Sequence, residues 1–172
     1  MTSHGTGSPG AKTDALGFEQ HDHGACVNKG MAAAEARCAK EGLRFTAVRR
    51  KTLEILLQEH RALGAYEVLD RLREDGFGSQ PPVAYRALDF LVENGFVHKI
   101  EKLNAFIACT HPGNVHSPAF MICRECDSVA ETQSMPARGA LGDAARAAGF
   151  VIEKTVVEAE GLCPSCVDKA TP

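Results

Sequence analysis

Two identically spaced cysteine pairs, Cys123-x-x-Cys126 and Cys163-x-x-Cys166, constrain this chain more than any other feature. Two thiolates at i and i+3 around a tight turn can face one ion, and two such pairs close the tetrahedral sulfur sphere of a structural Zn²⁺. Each pair falls at the end of a predicted strand. The unit that carries them, residues 119–172, is only about 55 residues long, a size that usually needs a metal or a partner to be stable. A redox dithiol needs only one such pair, and nothing requires two. An iron–sulfur cluster uses the same ligands and stays open as an alternative on spacing alone.

The chain has seven cysteines, an odd number, and its first thirty residues lack the apolar stretch of a secretory signal, so a disulfide framework is disfavoured. It has no run of about 18 apolar residues that could span a bilayer. The expected compartment is the cytoplasm. The net charge of −3 argues superficially against nucleic acid, yet the charge is unevenly spread. Residues 31–108 carry 12 Lys+Arg against 11 Asp+Glu, whereas residues 109–172 carry 5 against 8, which marks a two-part protein.

Residues 1–30 are rich in Gly, Ser, Thr and His and are expected to be a disordered tail. This tail includes His21, His23 and Cys26 as HDHGAC, a weak candidate for transient metal binding. From Met31 the text becomes helical, with MAAAEARCAKEG closed by Gly42. VRRKTLEILLQEH, capped by Thr46, places Leu53, Leu56, Leu57 and His60 on one stripe. AYEVLDRLREDG forms a third helix ending at Gly76. After FGSQPP, VAYRALDFLVENG puts Ala84, Ala87, Leu88 and Leu91 on one face and Tyr85, Arg86, Asp89 and Glu93 on the other. FVHKI and AFIAC then read as a hairpin about EKLN. Helices followed by a hairpin are the order of a winged helix-turn-helix over residues 31–109.

THPGNVHSP, residues 110–118, reads as a hinge. Beyond it AFMIC and SVAET are predicted strands, ARGALGDAARAAG a helix ending at Gly149, and FVIEKTVVEAEG one long strand. The fold class is therefore α+β, an N-terminal winged helix followed by a small α/β unit with a structural zinc site.

A second group of candidate ligands is His98 on the first wing strand, Cys109 at the end of the second, His116 in the hinge and Glu131 after Cys126. Each also has an ordinary structural role, and His111 competes with His116. One sulfur, two imidazoles and a carboxylate suit tetrahedral Zn²⁺ better than Fe²⁺ or Mn²⁺. Tyr85-Arg86 lies in the first turn of the fourth helix, the end that enters the major groove in helix-turn-helix proteins. Arginine reads guanine bidentately there, and the tyrosine ring meets a thymine methyl or a phosphate.

LRFTAVRRKTLEIL, AYEVLDRLRE, PPVAYRALDFLVENGFVHKIE, HSPAFMICRECDSVAE and EAEGLCPSC together resemble the ferric uptake regulator family of bacterial metal-sensing repressors, most closely its zinc-sensing branch. The resemblance runs from about residue 33 to residue 168. It implies a homodimer with an N-terminal DNA-binding domain and a C-terminal dimerisation domain, residues 119–172, that represses zinc-uptake genes with zinc as corepressor at palindromic operators. By motif match Cys123, Cys126, Cys163 and Cys166 are the structural zinc ligands, and His98, Cys109, His116 and Glu131 the regulatory ones. Tyr85 and Arg86 fall at the DNA-reading positions and Arg49 at a backbone-contacting arginine. The chain departs from the family at Val83-Ala84, where relatives carry Thr-Val, and at Ala47-Val48, where they carry Pro-Gln. The His-rich motif of iron and peroxide sensors is absent, which weakens that alternative. A zinc-dependent enzyme is the remaining rival, but the chain has no HExxH, GxSxG, GxxxxGK or deaminase motif, and none is expected to act here.

Overall fold

The computed structural model describes residues 18, 23–59, 61–78, 80–112, 117–134, 139–153 and 155–170. The first helix, α1 (His23–Glu41), begins eight residues before Met31, so residues 23–30 belong to it and not to a disordered tail. Its sequence there has little apolar character of its own. What holds it is a seam of small residues: Ala34 and Cys38 are buried, and Gly30 lies so near α2 that a Cβ would come within 2.8 Å of a Leu57 methyl. Neighbours at i, i+4 and i+8 share one helix face, so this ridge lets α1 approach closely. Arg37, from the same helix, donates to the Asn94 carbonyl at 2.6 Å and lies over the Phe96 ring.

The second helix, α2 (Ala47–Leu57), starts where Thr46 accepts the Arg49 amide. It buries Thr52, Leu53, Ile55 and Leu56, and the Thr52 hydroxyl is satisfied by donating to the Val48 carbonyl at 2.8 Å. The helix stops before His60, which lies outside the described residues. A two-residue strand β1 (Leu63–Gly64) leads into α3 (Ala65–Glu74), which buries Val68, Leu69 and Leu72. Then α4 (Pro81–Glu93) opens on two prolines, whose missing N–H groups need no cap, and buries Ala84, Ala87, Leu88, Phe90 and Leu91. Tyr85, Arg86, Asp89 and Glu93 face outward as their spacing predicts.

The wing is β2 (Val97–Ile100) and β3 (Ala105–Ala108), paired antiparallel with Lys99 opposite Phe106. Its turn carries Asn104 at φ 46°, a left-handed conformation that asparagine tolerates. The short β1 adds to the far side of β3, a pairing that two residues of sequence do not announce.

The second unit has strand order β5-β4-β6, from β4 (Ser117–Cys123), β5 (Val129–Ser134) and β6 (Val157–Gly161). β4 begins inside the expected hinge, with Pro118 near its start, where proline is tolerated. Helix α5 (Ala140–Ala147) precedes Gly149, at φ 66°. The expected long strand over residues 150–161 is shorter: among the described residues only Val157–Gly161 finds a partner, in parallel register along β4. Upstream of it Phe150 and Val151 are 68% and 79% exposed, so alternation alone does not make a strand. A last short helix, α6 (Pro164–Ala170), carries Cys166.

Two apolar clusters result. The larger packs α1, α2, α3 and α4 with the wing. The smaller joins Ile100, Ala105 and Ile107 of the wing to Phe120, Ile122 and Val129 of the second unit. The two units therefore share a core, with their junction beside the wing.

Candidate metal centres and nucleic-acid interface

Cys123 ends β4, and the chain turns through Cys126 to Asp127, at φ 56°, whose amide returns to the Cys123 carbonyl at 3.0 Å. Cys163 follows β6, and the second pair runs into α6 rather than a tight turn: the Cys166 and Val167 amides both donate to the Cys163 carbonyl. Parallel pairing of Cys123 with Gly161 brings the two loops together. The four sulfurs lie within 4.8 Å of one another, and Sγ of Cys126 and Cys163 are 3.7 Å apart. Zn–S bonds of about 2.3 Å at tetrahedral angles require sulfurs about 3.8 Å apart, so the cluster fits that ion.

The loops are also built for anionic sulfur. The Cys163 amide donates to Cys123 Sγ at 3.3 Å, and this bond, helped by the Glu125 and Cys126 amides, holds the Cys123 thiol down to about 6 against its burial. Hydrogen bonding within the cluster, first to Cys163, pushes Cys166 up to about 12. A bound cation removes that conflict by making all four thiolates favourable.

The second cluster is His98, Cys109 and Glu131, whose ligand atoms also lie within 4.8 Å of one another. His98 comes from β2, Cys109 follows β3, and Glu131 comes from β5, so the cluster spans the junction of the two units. His98 Nε2 is 3.2 Å from Glu131 Oε1, and Cys109 Sγ is 4.0 Å from the same oxygen. Zinc bonds of about 2.0–2.3 Å place such atoms about 3.3–3.6 Å apart, so a small contraction suffices. Glu131 is 2% exposed, and its other oxygen accepts the Thr110 amide and hydroxyl, each at 2.9 Å. Burial opposes its ionisation, but the adjacent His98 imidazole and the hydrogen bonds from Thr110 outweigh it and hold the carboxyl down to about 2. Thr110, which orients the carboxylate, is a residue that sequence pattern missed; its only signal was adjacency to Cys109. His116 lies outside the described residues. His111 is described, with Nδ1 2.9 Å from the Thr110 hydroxyl, and is not among the three clustered donors.

Burial, then the Glu131 charge, push the Cys109 thiol up to about 12. Because the thiolate is the ligand, metal binding here is expected to expel the Cys109 proton, whereas Glu131 is already ionised. The sign follows: apparent affinity rises with pH, about tenfold per unit where the Cys109 proton is the only one expelled. Metal titrations at about pH 7 and pH 8 in a weak buffer with an indicator dye measure both effects; a pH-independent affinity would remove Cys109 from the ligand set.

In the first unit, Arg44, Thr46, Arg49, Val83 and Arg86 line a groove between the starts of α2 and α4. Three arginines converge there although the whole chain is acidic, which makes the groove a candidate site for phosphate. Arg49 is fixed by stacking 3.7 Å over the Phe90 ring and by donating to the Arg44 carbonyl. Arg86 projects from the first turns of α4, and Tyr85, 43% exposed, lies beside it toward Asp89 and Lys99. Arg44 was not singled out by sequence because no periodicity distinguishes it from a solvated side chain.

A winged helix with a basic groove, joined to a small sheet by shared core and by a cluster of metal-ligating side chains, defines a metal-linked DNA-binding protein. The pattern of the Ferric uptake regulator family matches residues 40–159, and the chain belongs to that family. It is 38% identical over 139 residues to the Zinc uptake regulation protein of Escherichia coli (strain K12), covering 80% of this chain and 81% of that protein. The same figures hold for the Zinc uptake regulation protein of Shigella flexneri. Among solved structures, a zinc uptake regulator complexed with zinc and DNA matches with TM-score 0.79 at 36% identity, over 85% of this chain and 98% of that one. The holo form of XcZur matches with TM-score 0.73 at 41% identity, over 82% of this chain and 99% of that one.

Proposed function

We propose that this chain is a zinc-responsive transcriptional repressor that, as a homodimer with zinc as corepressor, binds palindromic operators of zinc-uptake genes. The observation that carries it is the His98–Cys109–Glu131 cluster, whose donors come from both the wing and the second unit. Bound there, zinc supplies a cross-link between those elements, with His116 from residues 110–118 as the fourth donor. Residues 31–109 form the DNA-binding unit, 110–118 the hinge and 119–172 the dimerisation unit. Cys123, Cys126, Cys163 and Cys166 hold a permanent structural zinc, while Tyr85, Arg86 and Arg49 contact the operator. The sulfur donor favours zinc over the iron or manganese expected of the family's other sensors.

Dimerisation is supported by the exposed apolar side chains Leu141, Phe150, Val151 and Val156 in the second unit, which a second copy would cover. Two-fold symmetry sets two α4 helices on successive major grooves and so calls for a palindrome. No helix among the described residues is long and apolar enough to cross a membrane, in keeping with a cytoplasmic regulator. The test is operator binding by protein loaded at the four-cysteine site, with buffered free Zn²⁺, Fe²⁺ or Mn²⁺ at fixed salt. Binding that rises roughly 5- to 150-fold with zinc is expected. Restoration by iron or manganese instead would assign the chain another effector.

A further inference from the structure

The tip of the wing is held by the second unit. Glu158 of β6 receives two successive backbone amides of the β2–β3 turn: Glu101 N donates to Oε1 at 2.7 Å and Lys102 N to Oε2 at 3.0 Å. Glu160, two residues along the same strand, pairs with the Lys102 ammonium at 2.5 Å. A carboxylate taking two main-chain donors is directional and charge-assisted, unlike an ion pair between exposed side chains. β6 has no freedom to slide, since Glu158 pairs with Phe120 and Gly161 with Cys123, and the strand runs directly into Cys163. Besides the shared core, this polar fastening lies at the turn end of the wing, away from the His98–Cys109–Glu131 cluster, with no regulatory ligand in it.

We propose that Glu158 is a positioning residue for DNA binding: a zinc-independent latch that docks the wing turn on β6 and transmits the register set by the four-cysteine site to the orientation of α4. Regulatory zinc then closes only the remaining freedom at the other end of the wing. The two sites are thereby given separate duties, one holding the latch strand and the other responding to metal. This inference rests on the operator-binding function proposed above.

The test uses full-length Glu158→Ala, Glu158→Gln and Glu160→Gln proteins, with zinc content and dimer mass checked first. Amide exchange at Glu101 and Lys102 is read without DNA in the zinc-loaded protein, and operator affinity is read separately at saturating zinc. Glu158→Ala is expected to speed exchange at those two amides at least tenfold and to weaken operator binding about tenfold, within the range usual for coupled sites. Glu158→Gln keeps one acceptor and is expected to fall between. Removing a negative charge should, by charge alone, strengthen binding to DNA, so weakening reports lost positioning. Glu160→Gln, which loses only an exposed ion pair, should stay within twofold. Unchanged exchange in Glu158→Ala overturns the latch, as does operator affinity within twofold of the parent, or an equal loss in Glu160→Gln. If the parent itself shows no zinc-dependent operator binding while the exchange difference persists, the proposed function fails and with it the latch's role in DNA binding.

Discussion

Cys123→Ser is expected to abolish the fold of the second unit and, with it, the dimer. A structural zinc in a small peptide domain contributes about 10–16 kcal/mol of apparent binding energy at neutral pH, comparable to the whole stability of an ordinary domain. This unit has little to set against that loss. Its main buried apolar residues, Phe120, Ile122 and Val129, share their cluster with the wing, and its outer surface leaves Phe150 and Val151 exposed. Cys123 is also the sulfur that the Cys163 amide approaches and the residue paired with Gly161, so its loss opens both loops and the β4–β6 register. Zinc content by metal analysis should fall by one equivalent, mass by light scattering should shift to monomer or aggregate, and the β signal should fall while the helices of the first unit persist. A Cys123→Ser protein that keeps its zinc and melts cooperatively within a few degrees of the parent would show that the four-cysteine cluster is not structural.

Cys109→Ser is the complementary case. The substitution is close to isosteric, and the new hydroxyl can donate to Glu131 in place of the thiol, so the fold and the dimer should survive at a cost of about 1 kcal/mol. A hydroxyl is a far weaker zinc ligand than a thiolate. Affinity at this site should fall more than the roughly 10- to 100-fold typical of losing a residue that merely supports a ligand. Operator binding should then stay at its zinc-free level across the whole zinc titration, with four-cysteine zinc retained. A zinc-responsive Cys109→Ser protein would exclude Cys109 from the sensing site. The pair of variants separates the two metals: one change removes the folded unit, the other only its response.

Much of this site is legible without coordinates because ligand chemistry is discrete. Four cysteines at two i, i+3 spacings admit few uses, and helix periodicity put Ala84, Ala87, Leu88 and Leu91 inward and Tyr85 and Arg86 outward, as observed. Cues that depend on a partner element failed. The alternation over residues 150–161 predicted a full strand, yet pairing is available only from Val157. Residues 23–30 looked too polar and glycine-rich to order, but they continue α1, with Gly30 packed close against the Leu57 side chain. Thr110, Arg44 and Glu158 carry no periodic or ligand-spacing signal of their own, since what distinguishes each is the group opposite it.

By itself the sequence determined the local terms: the cap of α2, the proline start of α4, the apolar faces of both helices, the hairpin, and which side chains are candidates to ligate metal. Those depend on neighbours a few positions away along one chain, where helix and strand periods act directly. Only the tertiary structure decided which donors meet. His98, Cys109 and Glu131 converge because the wing shares a core with β4 and β5, and Glu158 reaches the wing turn because β6 is held parallel to β4. Such contacts, 57 positions apart for Glu101 and Glu158, arise from packing between elements, which no short-range pattern encodes.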